Sequence, residues 1–290
     1  MKRTLALILA VVMLATVALV GCGNSTDSNS SAAKTDDSKT AATVDDKGST
    51  TFTVGFDAEF PPYGYKDKKT GDYTGFDLEL AQEVCDRLGW TLKKKPIDWD
   101  SKDMELNSGT INCIWNGFTI NGREKDYTWT VPYVNNSQVV VVKKGSDVKS
   151  LDDLKGKTVA VQTDSSALAA FTGDDATKAN QKLAASFKEL KQIGDYNTAL
   201  MNLESGAVDA VCMDNGVANY NVSKSPEKYT VLSDIISKEQ YAIGFKKGNT
   251  ELKDLVEKTL LEMNKDGVVK KIAKKYSDYY LEDSLCLEDK

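Results

Sequence analysis

Short apolar runs alternate along this chain with stretches whose apolar residues recur every three or four positions. "TFTVGFD" (51–57) is β-branched or aromatic at most positions and predicts a strand. "FDLELAQEVCDRLG" (76–89) places Leu78, Leu80, Ala81, Val84, Cys85 and Leu88 on one helical face and stops at Gly89. Further strands are predicted at 91–98, 111–115 ("INCIW"), 138–144 ("QVVVVKK"), 158–162 ("TVAVQ"), 207–214 ("AVDAVCMD") and 240–247 ("QYAIGFKK"). "SSALAAF" opens a helix at Ser165–Ser166, and "ELKDLVEKTLLEMNKDG" (251–267) is a strongly periodic one. Strands alternating with helices predict α/β layers around a largely parallel sheet. Two stretches, "QVVVVKKGSDVKSL" and "QYAIGFKKGNTELKDL", echo each other, as fits a chain that leaves one lobe and later returns. The body after residue 50, roughly 240 residues, exceeds the commonest single-domain size.

The first fifty residues differ from the rest. Lys2 and Arg3 precede an apolar run from Leu5 to Val20, which reads as an export signal in preference to a membrane anchor. Leu19-Val20-Gly21-Cys22 resembles the bacterial lipobox, which implies a signal peptide over 1–21 and a diacylated Cys22. Two acyl chains hold a protein on a membrane where one is marginal. Residues 22–50 are rich in Ser, Thr, Asp, Asn, Ala and Lys and predict a disordered tether. The protein is therefore expected outside the cytoplasm, anchored to the cell membrane by its N-terminal lipid.

Composition then narrows the chemistry. The chain has 290 residues, 41% hydrophobic and 28% charged, with a net charge of −6, which suits a globular protein and disfavours nucleic acid as a partner. It contains no histidine, so His-based triads and His–metal sites are excluded. Its five cysteines form no C-x-x-C pair, which argues against structural zinc. No metal and no cofactor are expected.

In open α/β sheets, ligands bind beyond the carboxyl ends of strands. There the sequence places Asp57, Glu59, Phe60 and Tyr63, then Trp99, then Asn116, Thr119 and Arg123. Gln162, Thr163, Asp164, Ser165, Ser166 and finally Asp214 follow later strands. A guanidinium suits a carboxylate, a carboxylate suits an ammonium, and aromatic rings supply apolar walls. One cleft offering both signs fits a zwitterion. Competing readings exist for each residue: Phe60 and Tyr63 as core aromatics, Trp99 as an edge cap, Asp214 and Ser165–Ser166 as helix caps.

"VGFDAEFPPYGYKDKKTGDYTGFDLELAQEV", "GFTINGREKDYTWTVPY" and "SGAVDAVCMDN" together resemble the polar amino-acid-binding proteins of ABC importers, bacterial extracellular solute-binding proteins of family 3, in their lipoprotein form. The similarity runs from about Thr51 to about Tyr280. It implies a two-lobed periplasmic-binding-protein-like fold (type II) with two crossing hinge segments, near Tyr133–Gln138 and Ile236–Tyr241. Lobe 1 would comprise 51–137 and 238–290, and lobe 2 would comprise 138–237. By position, the resemblance implies that Arg123 clamps the ligand carboxylate, with Thr119 and main-chain N–H near Ser166. Asp214 would take the ammonium, with the Gly117 carbonyl and Thr119 nearby, while Asp57, Phe60 and Trp99 surround the side-chain pocket. Asn116, Phe118, Gln162 and Ser165 complete the candidate ligand-binding set. Thr119-Ile120-Asn121-Gly122-Arg123 is one residue shorter than the family's Thr-Ile-Thr-x-Glu-Arg, so Arg123 enters from a tighter turn, which Asn-Gly permits. Asp57 is expected at the cleft mouth. Relatives that bind basic amino acids can bridge the position of Cys85 to the one seven residues on, which here is Leu92.

The implied function is a monomeric, lipid-anchored receptor that captures a polar amino acid and delivers it to a permease with a cytoplasmic ATPase. Two alternatives come from other classes. One is a sensor domain acting in trans, since the sequence shows no second span or cytoplasmic module. The other is a cyclohexadienyl dehydratase-like enzyme on the same fold, against which an intact amino-acid clamp argues.

Overall fold

The computed structural model describes residues 43–44 and 50–287. The export signal, Cys22 and nearly all of the tether lie outside the described residues. The chain enters the fold through β1 (Thr50–Phe56), makes a three-stranded hairpin unit over residues 59–74, and forms α1 (Phe76–Leu88), which ends at Gly89. Then come β2 (Thr91–Pro96), β3 (Cys113–Ile114), β4 (Thr128–Trp129) and the long β5 (Val134–Lys143). β6 (Thr158–Gln162) leads into α2 (Ser166–Thr172), β7 (Glu189–Ile193) into α3 (Tyr196–Ser205), and β8 (Ala210–Asp214) into α4 (Asn215–Lys224). The longest strand, β9 (Tyr229–Tyr241), is followed by β10 (Gly244–Phe245) and α5 (Thr250–Lys265).

Two main sheets make a two-lobed α/β fold. In the first, β1 lies between β2 and β3, parallel to both, and β10 is antiparallel to β3 and β4. In the second, the order is β7-β6-β8-β5-β9. Within it β7, β6 and β8 are parallel, whereas β5 runs antiparallel to β8 and β9. The sheets are thus mixed, where a largely parallel sheet was expected. The reason is the chain's route: β5 carries it out to the second lobe and β9 carries it back alongside.

Other differences have local causes. Only Cys113–Ile114 of "INCIW" pairs as a strand, although Asn112 and Trp115 still donate main-chain bonds to Thr53 and Gly55. "QYAIGFKK" divides between β9 and β10 because the chain changes sheets at Ala242–Ile243, where the N–H groups turn to the Phe118 carbonyl and the Thr130 hydroxyl. β7 and most of β9 were not anticipated.

The apolar runs fall where burial demands them. In β5, Val139 and Val141 join one core cluster while Val140 and Val142 join the other, so this strand is covered on both faces. Cys85, Cys113 and Cys212 are buried thiols, and burial raises Cys85 to about 12. No disulfide joins the described cysteines.

Candidate ligand-binding cleft

The strand ends bring the two lobes together around the β5–β9 crossing. Gly117 follows β3 with φ +54, and a Cβ there would lie 2.8 Å from the Phe60 ring and 3.0 Å from the Tyr241 ring. Only glycine tolerates both conditions. The Gly117 N–H donates to Asp77 Oδ2 at 2.5 Å. Asp77 is buried in the first turn of α1, and desolvation raises its carboxyl to about 7. The Phe118 ring packs into an aromatic cluster, 5.3 Å from Trp99 and 5.1 Å from Tyr127, and the Arg123 guanidinium lies 5.4 Å from its centroid. Phe118 therefore serves as a platform beneath Arg123.

The Asn121-Gly122 turn closes with Arg123 N–H on the Ile120 carbonyl at 2.9 Å, and Gly122 supplies the positive φ of +78. Asn121 Oδ1 accepts the Gln240 N–H at 2.7 Å, which pins the turn to β9. The guanidinium donates to the carbonyls of Thr119 (3.3 Å) and Asp164 (3.0 Å). Both acceptors are neutral, so its charge stays available to a carboxylate. Asp164 is a meeting point of the lobes. Its carbonyl also accepts from Trp99 Nε1 at 3.2 Å, and its carboxylate pairs with the Lys102 ammonium. Lys102 is only 1% exposed and sits 5.0 Å from the Trp99 ring centroid.

A second contact between lobes runs through Asp57. Its N–H donates to Asn116 Oδ1 at 3.0 Å, and its carboxylate accepts from Glu59 N–H (2.8 Å) and Gln162 Nε2 (2.7 Å). Contrary to the expected cleft-mouth position, Asp57 is buried, because Gln162 of the opposite lobe covers it. Desolvation raises its carboxyl to about 6, with smaller contributions from Asp195 and Glu59. Asn116 thus holds Asp57 in place. Phe60 packs 5.7 Å from Tyr63 and 5.9 Å from Tyr196, between the lobes. Beside Asp57 lies a cavity of about 550 Å³ whose wall includes Glu59, Asp98, Trp99, Asp100 and Asp195.

The remaining candidates separate into caps and cleft residues. Ser165 caps α2, accepting Leu168 N–H at 3.1 Å and donating to the Gln162 carbonyl at 2.7 Å, so its hydroxyl is used locally. The Ser166 hydroxyl instead accepts from Gln138 Nε2 at 2.9 Å and donates to Glu239 Oε1 at 3.4 Å. Asp214 stands at the N-cap of α4 yet makes no side-chain cap bond. Its oxygens accept from Tyr241 (2.6 Å), Tyr196 (3.1 Å), Gln138 (2.8 Å) and Asn136 (2.9 Å). Thr119 spans both signs of the site: its carbonyl accepts from Arg123, and its hydroxyl donates to Glu239 Oε1 at 3.0 Å.

Asn136, Gln138, Tyr196, Glu239 and Tyr241 were not singled out from sequence, nor were Asp77 and Lys102. A signal existed for some of them. Amide and carboxylate side chains stand within the two crossing segments, where a packed strand would otherwise carry apolar residues.

The model of the bacterial extracellular solute-binding proteins, family 3, matches residues 52–279. The chain belongs to this family. It is similar to the L-cystine-binding protein TcyA of Bacillus subtilis (strain 168), with 32% identity over 278 residues, covering 95% of this chain and 97% of the relative. Among solved structures it is similar to an ancestral arginine-binding protein bound to glutamine, at 38% identity and TM-score 0.69, covering 78% of this chain and 97% of that one. The substrate-binding protein of an ABC uptake transporter from Streptococcus pneumoniae with bound histidine matches at 34% identity and TM-score 0.72, over 78% and 92% of the two chains. All three are described as binding proteins.

Proposed function

We propose that this family-3 protein captures a polar amino acid between its lobes and delivers it to the permease of an ABC importer. The observation that carries the reading is the two-sign site joined by Thr119, with the Arg123 guanidinium on its carbonyl and, on its hydroxyl, the buried Glu239 carboxylate, which shares the Asn136 and Gln138 amides with Asp214. Arg123 would take the ligand α-carboxylate in place of neutral carbonyls, a bidentate pairing suited to its fork. Asp214 would take the α-ammonium. Closure then follows from contacts made to both lobes at once.

Anchoring and lobe boundaries belong to the same proposal. Residues 1–21 act as the export signal, Cys22 carries the lipid, and 22–50 form the tether. Lobe 1 is 51–137 with 238–290, and lobe 2 is 138–237, which is supported by β1 to β4 and β10 falling on one side of these limits and β6 to β8 on the other, with β5 and β9 running across them.

The acidic wall near Asp57 supports a ligand whose side chain ends in donors, and a cationic end above a neutral one. Several carboxylates lining one open cavity attract a nearby cation. Arginine, lysine or the second ammonium of cystine fits this wall, and glutamine fits it less well. An apolar side chain would leave the acceptors desolvated at about 1–3 kcal/mol each.

Competition titrations on wild type and Asp57→Asn test this. Removing the charge should lower affinity for the basic ligand by about ten- to hundredfold relative to glutamine, the worth of a hydrogen bond to a charged group. An unchanged ranking, or leucine outcompeting every polar amino acid on wild type, would show the side-chain pocket to be misplaced.

A further inference from the structure

Two carboxylates meet at the crossing, and strand register puts them there. Asp214 of β8 lies opposite Gln138 of β5, and Glu239 of β9 lies opposite Asn136 of β5. Residues 136 and 138 share a face of the strand, so the two carboxylates share the same two amides. Asn136 Nδ2 donates to Asp214 Oδ1 at 2.9 Å and to Glu239 Oε1 at 2.7 Å. Gln138 Nε2 reaches the same two oxygens at 2.8 Å each. Glu239 is 6% exposed and Asp214 3%.

Donors are short in this network. Gln138 Nε2 has two protons yet faces three acceptors, the third being Ser166 Oγ. Gln138 Oε1 is fully buried and accepts from nothing among the described residues. The titratable groups facing Glu239 are Asp214 from β8, Tyr63 from the hairpin unit, Tyr196 from α3 and Tyr241 from β9. Among the described residues no lysine or arginine side chain bonds to either carboxylate; their partners are amides and hydroxyls. Several N–H donors and one positive charge would complete the cluster.

We propose that Glu239 is a second ammonium-binding carboxylate, which together with Asp214 holds the α-ammonium of the captured amino acid in exchange for a proton that the pair otherwise shares. The proposal rests on the amino-acid-binding reading and adds a residue and a proton to it. Like charges this close in a dry site cannot both ionise. Burial, and then the neighbouring Asp214, push Glu239 up to about 7, and burial pushes Asp214 in the same direction. On binding, the shared proton leaves to solvent, both carboxylates are ionised, and the ligand's ammonium restores the balance. The charge of the site is the same before and after. Because binding favours the deprotonated pair, affinity should rise with pH up to about 7 and level off above it.

Calorimetry with L-arginine and L-glutamine, in buffers of different ionisation heat, reads the released proton directly. At about pH 6 wild type should release close to one proton per ligand, and at about pH 8.5 close to none. Glu239→Gln should bind about ten- to hundredfold more weakly at the higher pH, with its proton release at pH 6 cut by at least half. The difference between the two proteins separates the pair from Asp57, whose carboxyl also sits at about 6. Tight binding by wild type without proton release, or wild-type affinity and pH profile in Glu239→Gln, would overturn the proposal while leaving the amino-acid reading intact. Failure of wild type to bind any amino acid would overturn both. The wild-type measurement stands even should the variant not fold.

Discussion

Arg123→Ala abolishes most amino-acid binding and leaves the fold intact. The guanidinium is half-buried in a loop, over the Phe118 ring and against the carbonyls of Thr119 and Asp164. Those carbonyls can turn to water once the side chain is gone, so stability changes little. The bound ligand's carboxylate has no such recourse in a closed cleft. Truncating one partner of a desolvated, hydrogen-bonded charge pair costs about 2–5 kcal/mol, or roughly thirtyfold to several-thousandfold in affinity. Titration calorimetry together with a thermal melt checks both halves. Wild-type affinity in the variant would mean that the carboxylate lies elsewhere.

Asp214 gives a loss of similar size, but the substitution must be chosen from its partners. Alanine would strand the hydroxyls of Tyr241 and Tyr196 and part of the Gln138 amide. Each unpaired buried group costs about 1–3 kcal/mol, so Asp214→Ala should melt several degrees lower as well as fail to bind. Asp214→Asn keeps the side-chain volume and the acceptor oxygen that Tyr241, Gln138 and Asn136 share, removes the charge, and sets an amide NH2 against the Tyr196 hydroxyl, which can accept from it. It should retain near-native melting and still lose about 2–5 kcal/mol of binding free energy. The comparison separates the ammonium role from a structural one. If Asp214→Asn binds as wild type while Asp214→Ala does not, the residue is structural.

What sequence could reveal follows from what each element depends on. β5, β6 and β8 were legible because they are buried on both faces, which makes their apolar runs continuous. α1 and α5 were legible from their periodicity. Arg123 could be read from its place past an apolar run, behind an Asn-Gly turn. β9 was largely missed because Ser233 and Asp234 interrupt its alternation, where the ladder shifts register between Val231 and Ile235. Glu239 was missed for a different reason. Its meaning lies in the register that sets it opposite Asn136, and register is not a property of its own segment. The grip of Lys102 on Asp164 joins residues 62 positions apart and depends on how the two lobes meet. Asn116 shows a residue whose place was legible and whose work was not: its amide oxygen holds the Asp57 main chain.

Recognition of a zwitterion at the Arg123–Asp214 site is the central claim, and one titration series addresses it most directly. The tightest-binding amino acid is compared by calorimetry with its α-carboxamide and with its α-deamino acid. Each analogue removes one charge of the zwitterion and keeps the side chain. The site described here predicts one-to-one binding of the amino acid and a loss of roughly thirtyfold or more for each analogue, since each leaves either Arg123 or the Asp214 cluster without its partner. An analogue that binds as tightly as the parent amino acid would contradict it.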